Sequence, residues 1–292
     1  LRLTFSRTAA ALALCAVSFI TLAADAAPNA ASRRLHQLVD MDWKWQLHEY
    51  PEFATSVGDN RFNDRLTDQS PAAVARRSAH QQTFHLALQS IAENQLSGQD
   101  RITLEILHSN DAQAERLKRI YGKLPFSASD DWMVMSQMDG IHQSLPALSK
   151  ASPFNTVRDY ENYLKRLSAL PTHLAQLTLR MQQGIRSGWM PPAIALRAVP
   201  EQIATHLETD PQKAILYRPF LSMPATISTA QQARLQAAGR SAIAESVAPS
   251  FAKLQRFMVD TYLPACRTEL GATTLPGGAA FYQAMINGQT TT

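Results

Sequence analysis

The longest sustained helical period in the chain runs from Ser228 to Tyr262. Leu235, Ala238, Ala242, Ile243, Val247, Phe251, Leu254, Phe257, Met258 and Tyr262 recur mostly at steps of three or four, which lines them along one face of a helix. Ser228, with Gln231 three residues on, makes a capping-box start. Pro249 has no amide proton to give the Glu245 carbonyl, so the helix should be kinked or interrupted near Glu245. A stripe of this length needs other helices to cover it, and the segment is the expected spine of a helical domain.

The remaining segments show the same period in shorter pieces. Ser32 to Tyr50 carries Leu35, Leu38, Val39 and Trp45, and ends at Pro51. Gly58-Asp59-Asn60 marks a turn. Ser70-Pro71 opens a helix reaching about Asn94, and Asp100 to Tyr121 forms another after Gly98. Gly122 to Lys150 is less regular, with an extended Leu124-Pro125-Phe126 and an apolar, Met-rich Trp132 to Met138. Thr156 and Asp159 cap a helix running to about Leu170, and Pro171 begins the next. Pro191-Pro192 opens a short helix to about His206, and Pro211 to Pro224 is a loop-rich connection. The last helix spans Ala279 to Asn287, with Gly288 as its C-cap. No run of alternating β-branched residues and no hairpin turn between two such runs is present. The expected class is all-α, a multi-helix array with few or no strands.

Composition bounds the function. The chain has 292 residues, 45% hydrophobic and 18% charged, enough for a large helical core. The net charge is only +4, and the basic clusters Arg33-Arg34, Arg76-Arg77 and Arg116-Lys118-Arg119 are short and separate. They read as solvated helix faces, and no nucleic-acid partner is expected. Arg2 and Arg7, the apolar Thr8 to Ala23 and the Ala24-Asp25-Ala26 site read as a signal peptide over residues 1–27. The domain is then 28–292, periplasmic or secreted, with no stable membrane span after cleavage. Removing the signal leaves one cysteine, Cys266, so no internal disulfide is expected.

Candidate chemistry is sparse. No Walker loop, dinucleotide fingerprint or nucleophile elbow occurs, and Gly239-Arg240-Ser241 sits inside a helical pattern. Arg267 beside Cys266 would favour a thiolate, but no histidine partner is marked, and a structural thiol is the simpler reading. His48-Glu49 is the nearest approach to a zinc-hydrolase helix, where two histidines one turn apart hold the ion and a glutamate acts as base. The second histidine is missing and Pro51 breaks the helix, so the pair reads as a helix end. His80 and His85 are on different faces, and Asp139 and His142, three apart, could share one without a third ligand. His108, His173 and His206 read as single surface or core-edge histidines, and Trp43 and Trp45 as packing. No catalytic, cofactor-binding or metal residue is assigned.

Five stretches taken together resemble a known group. They are Trp43-Lys44-Trp45 followed by Glu52 to Leu66, Pro153 to Leu167, Val247 to Phe251, Tyr262 to Arg267, and Leu275-Pro276-Gly277-Gly278 with Tyr282. The series resembles the bacterial family called domain of unknown function 885. That resemblance implies a secreted or periplasmic, strongly helical protein, regarded as a zinc metallopeptidase and similar in outline to helical gluzincin carboxypeptidases. In that family the H-E-x-x-H-like motif lies well downstream of the Leu-Pro-Gly-Gly region, and no position of this sequence matches it. The expectation is therefore half of a larger gluzincin-like domain, incomplete at its C-terminus, inactive alone, and exposing an apolar wall where the spine would meet further polypeptide. Zinc is expected only for full-length relatives. Expected partners are peptides or the missing C-terminal half. The alternative is a non-enzymatic periplasmic binding or scaffold protein.

Overall fold

The computed structural model describes residues 29–121, 133–208 and 210–290. The signal-peptide segment, Leu124-Pro125-Phe126 and Trp132 lie outside the described residues. In chain order the helices are α1 (Ala30–Glu49), α2 (Pro51–Ser56), α3 (Pro71–Gln89), α4 (Gly98–Tyr121), α5 (Ile141–Ala151), α6 (Val157–Ser187), α7 (Val199–Ala204), α8 (Thr229–Ala242), α9 (Ala248–Phe257), α10 (Leu263–Ala265) and α11 (Gly278–Gln289). Short 3-10 turns fill several connections. Among the described residues the only β pairing is an isolated parallel bridge between Pro192 and Arg267. The class is all-α.

The expected spine forms, with its interruption where the proline places it. Helix α8 leads into a π turn, Ile243–Val247, then α9, a second π turn, Met258–Tyr262, and α10. Pro249 cannot bond the Glu245 carbonyl, and Pro264 cannot bond Asp260, so the turn before each proline widens. In the first, Ala248 N–H reaches back to Ile243; in the second, Leu263 N–H reaches Met258. The helical path thus runs past Tyr262 to Ala265. Its apolar stripe is covered by the chain itself: Leu235, Val247, Phe251, Leu254 and Met258 are buried in one cluster with Leu167, Leu170 and Leu174 of α6. Among the described residues, this stripe does not form the exposed apolar wall expected on this face.

Helix α6 is the longest and carries the main core. The sequence begins a new helix at Pro171, whereas α6 runs continuously past it. Thr156 and Asp159 complete the capping box, and Gly188 closes the other end in the left-handed conformation at φ 74°. Tyr163, Leu167, Leu170, Leu174 and Leu177 keep one buried stripe across the proline, and that packing outweighs one lost backbone bond. The irregular stretch likewise contains a helix, α5, with Pro146 inside it. Pro146 frees the His142 carbonyl, which takes a hydrogen bond from His206 Nε2 at 2.9 Å.

Helices α1, α3 and α4 form a second packing around Leu35, Leu88 and Leu104. A third cluster, Tyr121, Trp189, Leu275 and Phe281, seats α11 on the end of α4. The Leu275-Pro276-Gly277-Gly278 turn needs both glycines. Gly277 has φ 70°, and a Cβ on Gly278 would lie 2.1 Å from the Ala272 carbonyl oxygen. Gly288 is not the C-cap: α11 continues to Gln289 and Thr290 caps it. Its missing side chain instead admits Gln113, whose Nε2 donates to the Ala284 carbonyl at 2.8 Å.

Candidate functional site

The segment joining the two helical packings builds a polar cleft. Pro51 ends α1 at Tyr50 and starts α2 at once, so Tyr50, Glu52 and Phe53 are carried onto the flank of α6. They meet Asp139, at the start of α5, and His173 and Arg180, two turns apart on α6, around a cavity of about 360 Å³. Val134, Ile141 and Leu177 give it apolar walls.

Thr67 holds the acid and the imidazole together. Its N–H donates to both Glu52 oxygens at 3.0 Å, and its hydroxyl to Oε2 at 2.5 Å. Its carbonyl accepts from His173 Nδ1 at 3.0 Å. With Nδ1 carrying the proton, Nε2 is left as the acceptor. Burial pushes the His173 pKa below the ordinary imidazole value, although the Glu52 carboxylate pulls the other way. The ring is therefore neutral at neutral pH. Arg180 Nη1 donates to Gln69 Oε1 at 2.6 Å, and Gln176 accepts the Gln69 N–H at 2.9 Å. Asp139 Oδ1 accepts the Gly140 N–H at 2.7 Å, and glycine at φ 125° opens the turn that aims α5 at the cleft.

The other residues marked by the sequence are dispersed. His48 is exposed, 3.4 Å from Arg65 Nη1. Glu49, far from being a simple helix end, is buried and paired with Arg76 at 2.9 Å and Arg77 at 3.1 Å. Arg77 is therefore not on a solvated face; its side chain is fully buried. His80 pairs with Asp42 at 2.7 Å and His85 with Asp111 at 2.5 Å. Asp139 and His142 do not share a face: Asp139 precedes α5, and His142 turns inward to Gln202 at 3.1 Å. His206 is buried, stacked on Phe251 at 4.2 Å. Neither it nor His173 is a surface histidine. Trp43 packs edge-on to Phe53, half-exposed. Cys266 is half-buried with its thiol on the Tyr262 carbonyl, and burial pushes its pKa up to about 11. Arg267 gives it no help, since Nε is spent on the Met190 carbonyl at 2.8 Å. Among the described residues, no group of three or more His, Cys, Asp or Glu side chains is arranged to hold a metal.

Sequence reading missed Glu52, Thr67, Gln69 and Arg180 as members of one site. The signal available was Glu52, first residue of one of the stretches that carry the family resemblance; nothing linear ties it to Arg180.

Comparison with known proteins follows from this geometry. A family model described as "Bacterial protein of unknown function (DUF885)" matches residues 51–292. No curated protein matches the chain. A solved structure, described as "the putative lipoprotein from Colwellia psychrerythraea", superposes with a TM-score of 0.71 at 17% identity over 88% of this chain. This chain spans about half of that one, 46% of its length. Among the described residues, no helix is long and apolar enough to cross a membrane.

Proposed function

The chain belongs to the bacterial DUF885 family, and on that premise we propose that it is an extracytoplasmic protein whose polar cleft holds a short stretch of peptide. The location is supported by the apolar N-terminal segment between Arg7 and Ala24-Asp25-Ala26 and by the description of the Colwellia neighbour as a lipoprotein. The carrying observation is that Glu52, His173, Arg180 and Asp139 converge from separate parts of the chain on one cavity with apolar walls. A peptide offers what such a cleft accepts: backbone N–H and C=O groups, an ionised end or side chain, and apolar side chains.

Zinc, implied by the resemblance, does not fit the cleft. His173 Nε2 is one donor of the right type, but both Glu52 oxygens are engaged by Thr67, and Asp139 caps Gly140. Among the described residues, no second and third ligand converge beside the imidazole. The reading is therefore of binding, with Arg180 meeting a carboxylate and Glu52 and Asp139 meeting donors.

Fluorescence anisotropy with labelled short peptides tests it. Saturable binding with Kd below about 100 μM, weakened roughly tenfold by Arg180→Met and by Asp139→Asn, is the expected result. Binding that neither substitution alters, or no saturation by any peptide of a diverse library, would refute it.

A further inference from the structure

Inward positions in a packing of helices are normally apolar, because burial there supplies the stability. One end of the α1–α3–α4 packing obeys this, with Leu35 and Leu104 fully buried. Two turns further along the same faces the pattern reverses. Asp42 follows Leu35, and Asp111 follows Leu104, at the same helical phase. Together with Trp45, His80, Phe84 and Asn110 they line a cavity of about 460 Å³ between the three helices. Leucine at these positions would fill the space and stabilise the packing. Sites for ligands in helical packings are built this way, from side chains on facing helices.

The chemistry of the wall selects a ligand. The Arg77 cation at the cavity is met by buried Glu49 at 3.1 Å. The two carboxylates on the wall are met by imidazoles and an amide: Asp42 Oδ1 by His80 at 2.7 Å and Oδ2 by the Gln46 Nε2 donor at 2.6 Å, and Asp111 by His85 at 2.5 Å. Neither carboxylate is well hydrated, with side chains 19% and 10% exposed. The His80 ring lies flat on Trp45, centroids 3.6 Å apart and planes 4° from parallel, which fixes an aromatic surface beside Asp42. A partly buried carboxylate next to an indole and a phenyl ring attracts a cation that also carries flat or apolar surface. We propose that this cavity, which adjoins the polar cleft at Tyr50, binds a small organic cation of its own: an amine or guanidinium on an aromatic or apolar body.

Phenethylammonium is the probe, followed by calorimetry and by tryptophan fluorescence, with phenylacetate as the charge-inverted control. The expected result is saturable binding of the cation with Kd of about 1 mM or tighter and none of the anion. Asp42→Asn and Asp111→Asn should each weaken it about fivefold or more. Ala114→Leu, which fills the cavity, should raise Tm and abolish binding while leaving peptide binding at the polar cleft intact. It decides the matter if either asparagine variant fails to fold. Equal binding of cation and anion, no saturation by about 10 mM, or undiminished binding in the folded Ala114→Leu protein would overturn the proposal.

Discussion

Arg166 Nη2, about a third of the way along α6, donates to Thr55 Oγ1 of α2 at 2.6 Å. The same guanidinium reaches the Pro51 and Phe62 carbonyls at 3.2 Å and the Arg65 carbonyl at 2.9 Å. The stretch Glu52 to Leu66 is thus folded around one side chain of the stretch Pro153 to Leu167. Burial pulls the Arg166 pKa down to about 10, so the cation persists at neutral pH. Arg166→Met strands several acceptors and should cost about 3 kcal/mol or more. Arg166→Lys should recover only part, because an ammonium lacks the planar fork. Thermal melts and limited proteolysis of residues 51–67 check this; a Tm within about 2 °C of wild type would count against the hub.

Glu49 tests a different balance. It is shared by Arg76, about half-exposed, and Arg77, fully buried. Glu49→Gln leaves a buried cation facing an amide, with an expected loss of about 3 kcal/mol. Arg76→Ala, at the rim, should cost under about 1 kcal/mol. Denaturant titrations of the two variants should rank them in that order, and the reverse ranking would show that the buried pair is not the anchor.

Gly278→Ala must push a Cβ into backbone 2.1 Å away, where no flexible side chain can yield. It should cost about 3 kcal/mol and loosen α11 from the end of α4. Gly277→Ala meets nothing within 4 Å and bears only the left-handed backbone penalty, about 1 kcal/mol. Hydrogen exchange of α11 amides should separate the two. Comparable protection in both variants would remove the close-approach argument.

His142 and His206, like His173, have pKa values lowered below 6.5, chiefly by burial. The Asp139 charge and the Gln202 side-chain Oε1 act on His142; the His142 carbonyl and the Phe251 ring meet His206. The unfolded chain takes up these protons first, so stability must fall as pH drops below about 6.5 and continue falling until the folded-state values are reached. Each histidine contributes at most about 1.4 kcal/mol per pH unit in that window. Melting curves from pH 7.5 to 5 should show it, and His206→Gln, which keeps a donor for the His142 carbonyl, should flatten the slope. A Tm that rises on acidification would contradict the burial argument.

The helices and their class were written in the linear pattern of residues. Periodicity and capping residues act over one to four positions, so Thr156 with Asp159, Ser70 with Pro71 and the interruption ahead of Pro249 were all legible. The sequence misjudged Pro171 and Gly288 and left the stretch that folds as α5 irregular, because whether a helix survives a proline or a glycine depends on what packs across it. The tertiary structure alone decided which polar residues go inside. Arg166, Arg77, Glu49 and His173 look like surface residues in a linear string, since each needs partners distant in sequence before burial becomes affordable. The polar cleft and the polar end of the α1–α3–α4 packing exist only once those distant partners meet.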